Sequence, residues 1–163
     1  GDVNKGGVGG RLLTVFGSNL DSRNIYTFTG TNRELSDTSN GHKKNNTRIT
    51  PQLLGFPVGD TTDMNNVIDF MYGYDVWNWN NGPGNPRSWI LGGIIHSTPL
   101  VIHYKTQDVI FVGANDGMLH AFDDATGNEL WAFIPPDLLP KLKNFTNIFN
   151  LSRLEWVTVQ ALA

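Results

Sequence analysis

The sequence predicts a mainly β fold, and three observations carry that prediction. Between Thr98 and Pro135, four short runs rich in β-branched and aromatic residues alternate with turn signals. Asn115-Asp116-Gly117 suits a tight hairpin, because Asp-Gly accepts the positive φ such turns need, and Asp124-Ala125-Thr126-Gly127-Asn128 closes a second one. Eighteen glycines, and a charged fraction of 17% against about 25% in ordinary soluble domains, point to many turns around a packed core.

Taken in order, the first ten residues hold five glycines and read as a loop, followed by a short strand at Leu12-Leu13-Thr14-Val15-Phe16. Asn24 to Thr29 is a clearer strand, with Ile25, Tyr26 and Phe28 set among threonines. Thr31 to Thr50 is polar, contains the basic run His42-Lys43-Lys44, and reads as a long surface loop. A helix is expected from an Asp63 N-cap through Val67, Ile68, Met71 and Tyr72 to a stop at Gly73. From Tyr74 to Arg87, asparagines, two prolines and two glycines rule out a regular element, so Tyr74, Trp77 and Trp79 sit on a packed loop.

The four strands then follow as Thr98–Tyr104, Asp108–Ala114, Met118–Asp123 and Glu129–Ile134. The second is apolar at successive positions and so is expected to be buried on both faces. Four antiparallel strands in under about forty residues match the period of a β-propeller blade; an isolated meander is the plainer alternative. Asn115, Asp116, Gly117 and Gly127 form its turns, and Trp131 is placed to wedge against a neighbouring blade. Beyond it, Asp137 opens a short helix interrupted by Pro140, and Arg153 to Gln160 alternates as a last strand. The expected division is 1–97 with long loops and one helix, 98–135 as the blade, and 136–163 as the start of the next. A ring needs at least about four blades, so the chain is expected to need missing blades or a second chain.

Composition narrows the function. With 12 basic and 15 acidic residues the net charge is −3, which lacks the basic footprint of a nucleic-acid binder. No cysteine is present, excluding disulfides, thiolate metal sites and cysteine nucleophiles. No apolar run approaches the ~20 residues of a membrane span.

The segments Asn115 to Asp123 and Thr126 to Pro135 closely resemble the PilC/PilY family. Ser22 to Thr27, Leu91 to Pro99 and Leu138 to Leu142 agree with it as well, so the likeness runs over roughly residues 10–145. These are large proteins associated with type IV pili whose C-terminal half is a modified β-propeller. The resemblance implies a partial propeller with quinoprotein-like blades and a non-enzymatic role in pilus biogenesis, retraction or tip adhesion. It implies pilin or minor pilins as partners, and an exported location at the cell surface, pilus or outer membrane. The family's calcium loop has no counterpart here, so no cofactor is assigned to this chain. Two alternatives accompany this reading: a split subunit completed by a second chain, and a fragment of a quinoprotein-like dehydrogenase. The second lacks both a closed ring and the cysteine pair usual near that cofactor.

Other candidate chemistry is weaker. Asp2, Asn4 and Gly6 begin a calcium-loop pattern that Lys5 and the missing twelfth-position glutamate break. His96, His103 and His120 lie on or beside strands and are expected to bond backbone carbonyls rather than a metal. Asp116, Asp123 and Asp124 occupy turn positions, where aspartate bonds its own backbone. Asn45, Asn144 and Asn150 head glycosylation sequons of little weight in an asparagine-rich chain. Tyr74, Trp77 and Trp79 are the best candidates for partner or ligand contact, balanced by the reading that they cover an edge of the fold.

Overall fold

A computed structural model describes residues 7–147, apart from 31 and 80. Its centre is a five-stranded mixed sheet carrying short helices and long loops, and the sheet is open rather than closed into a ring. The elements are α1 (Gly7–Phe16), β1 (Ile25–Thr27), α2 (Thr61–Tyr72), β2 (Leu100–His103), β3 (Asp108–Gly113), β4 (Leu119–Asp123), β5 (Glu129–Ile134) and α3 (Leu142–Asn147). The strand order is β1-β5-β4-β3-β2.

The four-strand meander forms as expected, each strand antiparallel to the next. Its middle hairpin, between β3 and β4, turns at Gly117, whose φ of +82° needs the freedom of glycine, and the Ala114 amide bonds the Met118 carbonyl at 3.0 Å. What the local pattern does not contain is the fifth strand. β1 lies parallel to β5, with Ile25 opposite Ala132 and Thr27 opposite Ile134, so a segment more than a hundred residues earlier extends the sheet.

Several expectations are corrected. Leu12 to Phe16 is not a strand but the end of α1, and Gly7 to Gly10 are its first turns rather than a loop. Val8, Leu12 and Phe16 recur every four residues and all reach the core cluster, so the helical period prevails. Gly9 lets α1 lie against Trp89, since a Cβ there would sit within 2.4 Å of the indole. α2 is capped one turn earlier than expected: the Asp60 carboxylate accepts from the Asp63 amide at 3.2 Å, and Asp63 lies inside the first turn. Its stop at Gly73 stands, with φ +111° and the glycine amide on the carbonyls of Asp69 and Phe70.

β3 buries one valine on each face, Val109 on one and Val112 on the other, while Ile110 and Phe111 are only partly covered, so the expected burial of both faces holds in part. The stretch after Gly30 does run as irregular surface chain, but it is pinned by Asn40, whose amide donates to the carbonyls of Asn32 and Glu34 at 2.8 Å. His42 is not part of an exposed basic run: it is fully buried, while Lys44 next to it reaches Asp69 at 2.7 Å. The expected strand at Arg153 to Gln160, the Asp2-Asn4-Gly6 pattern and the Asn150 sequon lie outside the described residues.

Candidate functional site

Register divides the sheet into two unlike faces. On the inner face lie Ile25 and Thr27 of β1, Val112 of β3, His120 and Phe122 of β4, and Ala132 and Ile134 of β5, all buried. This face joins one core cluster with Leu12, Val67, Ile68 and Met71 from the helices.

Two of its residues are ionisable, which simple alternation along β5 would not predict. A bulge after Ala121 sets Phe122 against Glu129 and leaves Leu130 as an extra residue in β5. Glu129 is thereby turned away from the face of Trp131 and Phe133 and into the core. Asn24 secures the irregular step, donating from its amide to the Leu130 carbonyl at 3.3 Å.

Around Glu129 runs a chain of buried charges. Arg23, with no exposed surface, donates from Nε and Nη2 to the two Glu129 oxygens at 2.8 and 2.9 Å. Its Nη1 donates to the carbonyls of Met71 and Tyr72 at 3.1 and 3.0 Å, satisfying the last turn of α2. Glu129 Oε1 also meets His120 Nδ1 at 2.8 Å, and His120 Nε2 meets Asp116 Oδ2 at 3.2 Å. Asp116 in turn accepts from the amides of Gly92 and Met118 at 2.8 and 3.1 Å.

Burial by itself would lower the His120 pKa, but the hydrogen bonds to Asp116 and Glu129 outweigh it and push it up to about 9. Burial opposes ionisation of Glu129, yet the Arg23 charge and the His120 bond bring its pKa down to about 2. Asp116 is likewise lowered, against its burial, by His120. The four groups balance as two cations and two anions. His120 therefore bonds carboxylates rather than the expected carbonyls, and Arg23 and Glu129 are the residues sequence reasoning missed.

Gly92 fits this junction closely; a Cβ there would stand 2.4 Å from the Asp116 amide nitrogen. The Asp116 turn therefore anchors the loop before β2 as well as the hairpin. Asp123 behaves as a turn residue, accepting from the amide and hydroxyl of Thr126 at 2.8 and 2.6 Å, and Gly127 takes φ +69°. His96 and His103 are exposed and remote in role, His103 meeting only Asp108 at 2.9 Å. Among the described residues no group of three His, Asp or Glu side chains is arranged to hold a metal.

The aromatic loop is organised by a residue of another kind. Asp75 is fully buried and accepts from the amides of Trp79, Asn81 and Gly82 at 2.7–3.1 Å. Trp77 and Trp79 stack with centroids 5.6 Å apart, and both pack on Phe70 of α2 at 5.5 and 5.8 Å. Tyr74 and both indoles are partly covered by the core, which leaves one side of the loop accessible.

The outer face of the sheet is different. Leu100 (58% exposed), Ile102 and Leu119 (37% each) share it with the half-buried Phe111, Trp131 and Phe133. Trp131 rests on Phe111 at 5.7 Å and lines a surface cavity with Phe28 and Leu35, while Val109 and Ala121 of the same face are buried. At the margin, every residue of β2 is exposed and its outward backbone groups have no strand partner among the described residues.

These features define a mixed sheet with one largely buried face and one partly open apolar face. The chain is related to the PilC/PilY family of type IV pilus-associated proteins. It is 38% identical over 94 residues to a type IV pilus biogenesis factor PilY1 homolog of Xylella fastidiosa, covering 41% of this chain and 8% of that protein. It is 34% identical over 87 residues to the type IV pilus biogenesis factor PilY1 of Pseudomonas aeruginosa, covering 38% of this chain and 8% of that protein. A 38-residue stretch reaches 58% identity to the Xylella fastidiosa homolog, over 23% of this chain and 2% of that protein. The chain thus spans under a tenth of the curated relatives it matches. No family model and no solved structure matches it. Among the described residues no helix is long and apolar enough to cross a membrane.

Proposed function

We propose that this chain is a blade, with its flanking segments, of a non-enzymatic β-propeller protein of the type IV pilus, exported and acting by protein contact at the cell surface. The single observation that carries this reading is the open apolar face of Leu100, Ile102, Leu119 and Trp131 on a four-strand meander. A contiguous apolar sheet face left uncovered marks a surface made to be buried. Propeller blades bury such faces against the next blade, and the relatives' name supplies the pilus. Pilin or minor pilins are the partners of the assembled protein in this reading, and calcium belongs to parts of the family propeller outside this chain.

The test is genetic and biochemical together. Loss of the gene in its own organism should remove surface pili, and a copy carrying Leu119→Asp should restore them poorly while still accumulating. Normal piliation after deletion would sink the pilus reading. Normal function of Leu119→Asp would sink the blade-packing reading alone.

A further inference from the structure

A cavity of about 430 Å³ opens beside the Asp116 turn, between the end of α2, the aromatic loop and the hairpin. Phe70, Trp79, Trp89 and Met118 supply its apolar wall, and Arg87 and Asp116 bring charge to it. Asp116 and Asp75 attract the Arg87 charge, but neither forms a close ion pair with it among the described residues. Asp116 is already matched by His120 and by two backbone amides. Arg87 lies flat on Phe70, with Cζ 3.8 Å from the ring centroid. Its guanidinium makes one hydrogen bond among the described residues, from Nη2 to the Phe70 carbonyl at 3.1 Å. Its Nε is buried with no acceptor, and no described carboxylate forms an ion pair with it.

Burial, together with the nearby positive charge of Arg23, lowers the Arg87 pKa to about 10 against the attraction of Asp116 and Asp75, so the group is still charged at neutral pH. A part-buried cation with spare donors on an apolar cavity is an arrangement that recruits an anion, since buried charges are normally paired. The ligand is monovalent and planar by the same logic: one guanidinium pairs best with one carboxylate, and Asp116 on the wall disfavours a dianion. A neutral sugar would offer the spare guanidinium donors only uncharged acceptors.

We infer that this cavity binds a carboxylate joined to an apolar group, the carboxylate on Arg87 and the apolar part between Trp79 and Trp89. A free amphipathic acid and the C-terminus of a peptide ending in an apolar residue share this chemistry. The site is separate from the outer sheet face, so its failure would leave the proposed blade contact standing.

Tryptophan fluorescence of the full chain reads it directly, with N-acetyl-phenylalanine, its amide, and a pentapeptide ending in phenylalanine with a free or amidated C-terminus as probes. Saturable quenching by the acids, with the amides at least about tenfold weaker (about 1.4 kcal/mol), is the expected result. The ratio of peptide to free acid affinity then identifies the source. Arg87→Gln should erase the preference for acid over amide. Ser88→Phe, at an exposed position of the cavity mouth, should weaken all binding tenfold with circular dichroism unchanged, which keeps the test valid if Arg87→Gln does not fold. Equal binding of acid and amide, or no saturation by any probe, would overturn the inference.

Discussion

The two faces of the sheet are built from the same strands yet solve opposite problems. The inner face is covered by α1, α2 and the loops over β1, β5 and β4, opens toward Val101 of β2, and accommodates four ionised groups by pairing each one. The outer face carries larger apolar side chains, with Asp123 only at its edge, and it stays half open. Burying an unpaired charge costs far more than exposing a leucine, so the ionised groups of the inner face must each find a partner. The outer face can wait for a neighbour. Paired charges under one face and half-covered apolar side chains on the other are the contrast between them.

Breaking the inner face should have the largest effect. Glu129→Ala strands both Arg23 and His120 in the core, and a loss of about 3–5 kcal/mol in urea unfolding is expected. A loss under about 1 kcal/mol would show that water reaches the site.

The pH dependence sharpens the same contrast. His120 is held protonated, with its folded pKa raised to about 9. Its contribution is fully present below the unfolded value of about 6.5 and is lost as pH rises through 9. His42 is the reverse case: burial without any partner for either ring nitrogen lowers its pKa to about 4. Its contribution is complete above about 6.5 and is lost as pH falls toward 4, and that of Glu129 is lost below it. Stability should therefore peak near pH 6.5 and decline by a few kcal/mol on each side. His42→Leu should flatten the acid limb only; an unchanged acid limb would remove His42 from the account.

Changes on the outer face should cost less in the isolated chain. Trp131→Ala is expected to lose about 2 kcal/mol, below the ~3–5 of a fully buried tryptophan, because part of the indole is open. Smallest of all, Ile102→Lys at the exposed margin should shift stability by no more than about 0.5 kcal/mol. The same change should suppress binding of a hydrophobic dye and any self-association seen by sedimentation. If dye binding is unaffected, the open face is not the sticky surface of this chain.

How much of this was legible beforehand follows from the range of each interaction. β5 was readable to its last residue because Glu129 to Ile134 combines strand propensity with turns on both sides. α1 is not legible locally because five apolar or β-branched residues in a row fit either period, and the decision belongs to the core cluster that Val8, Leu12 and Phe16 join. Asp116 was read as a turn residue, correctly for Met118, but its bond to His120 depends on where β4 carries the imidazole. Trp77 and Trp79 were expected on a packed loop and are found there. The buried Asp75 that holds them was not singled out, since an aspartate in an asparagine-rich loop looks like any other turn residue.

By itself the sequence determined the meander, its turns and the stop of α2, all of which depend on φ preferences and side-chain alternation over a few residues. Only the tertiary structure decided that β1 joins β5 in parallel, that a bulge turns Glu129 inward, and that Arg23 meets it there. Those outcomes join segments about a hundred residues apart. No local propensity encodes them; they arise because a buried charge must find its partner wherever the chain can bring one.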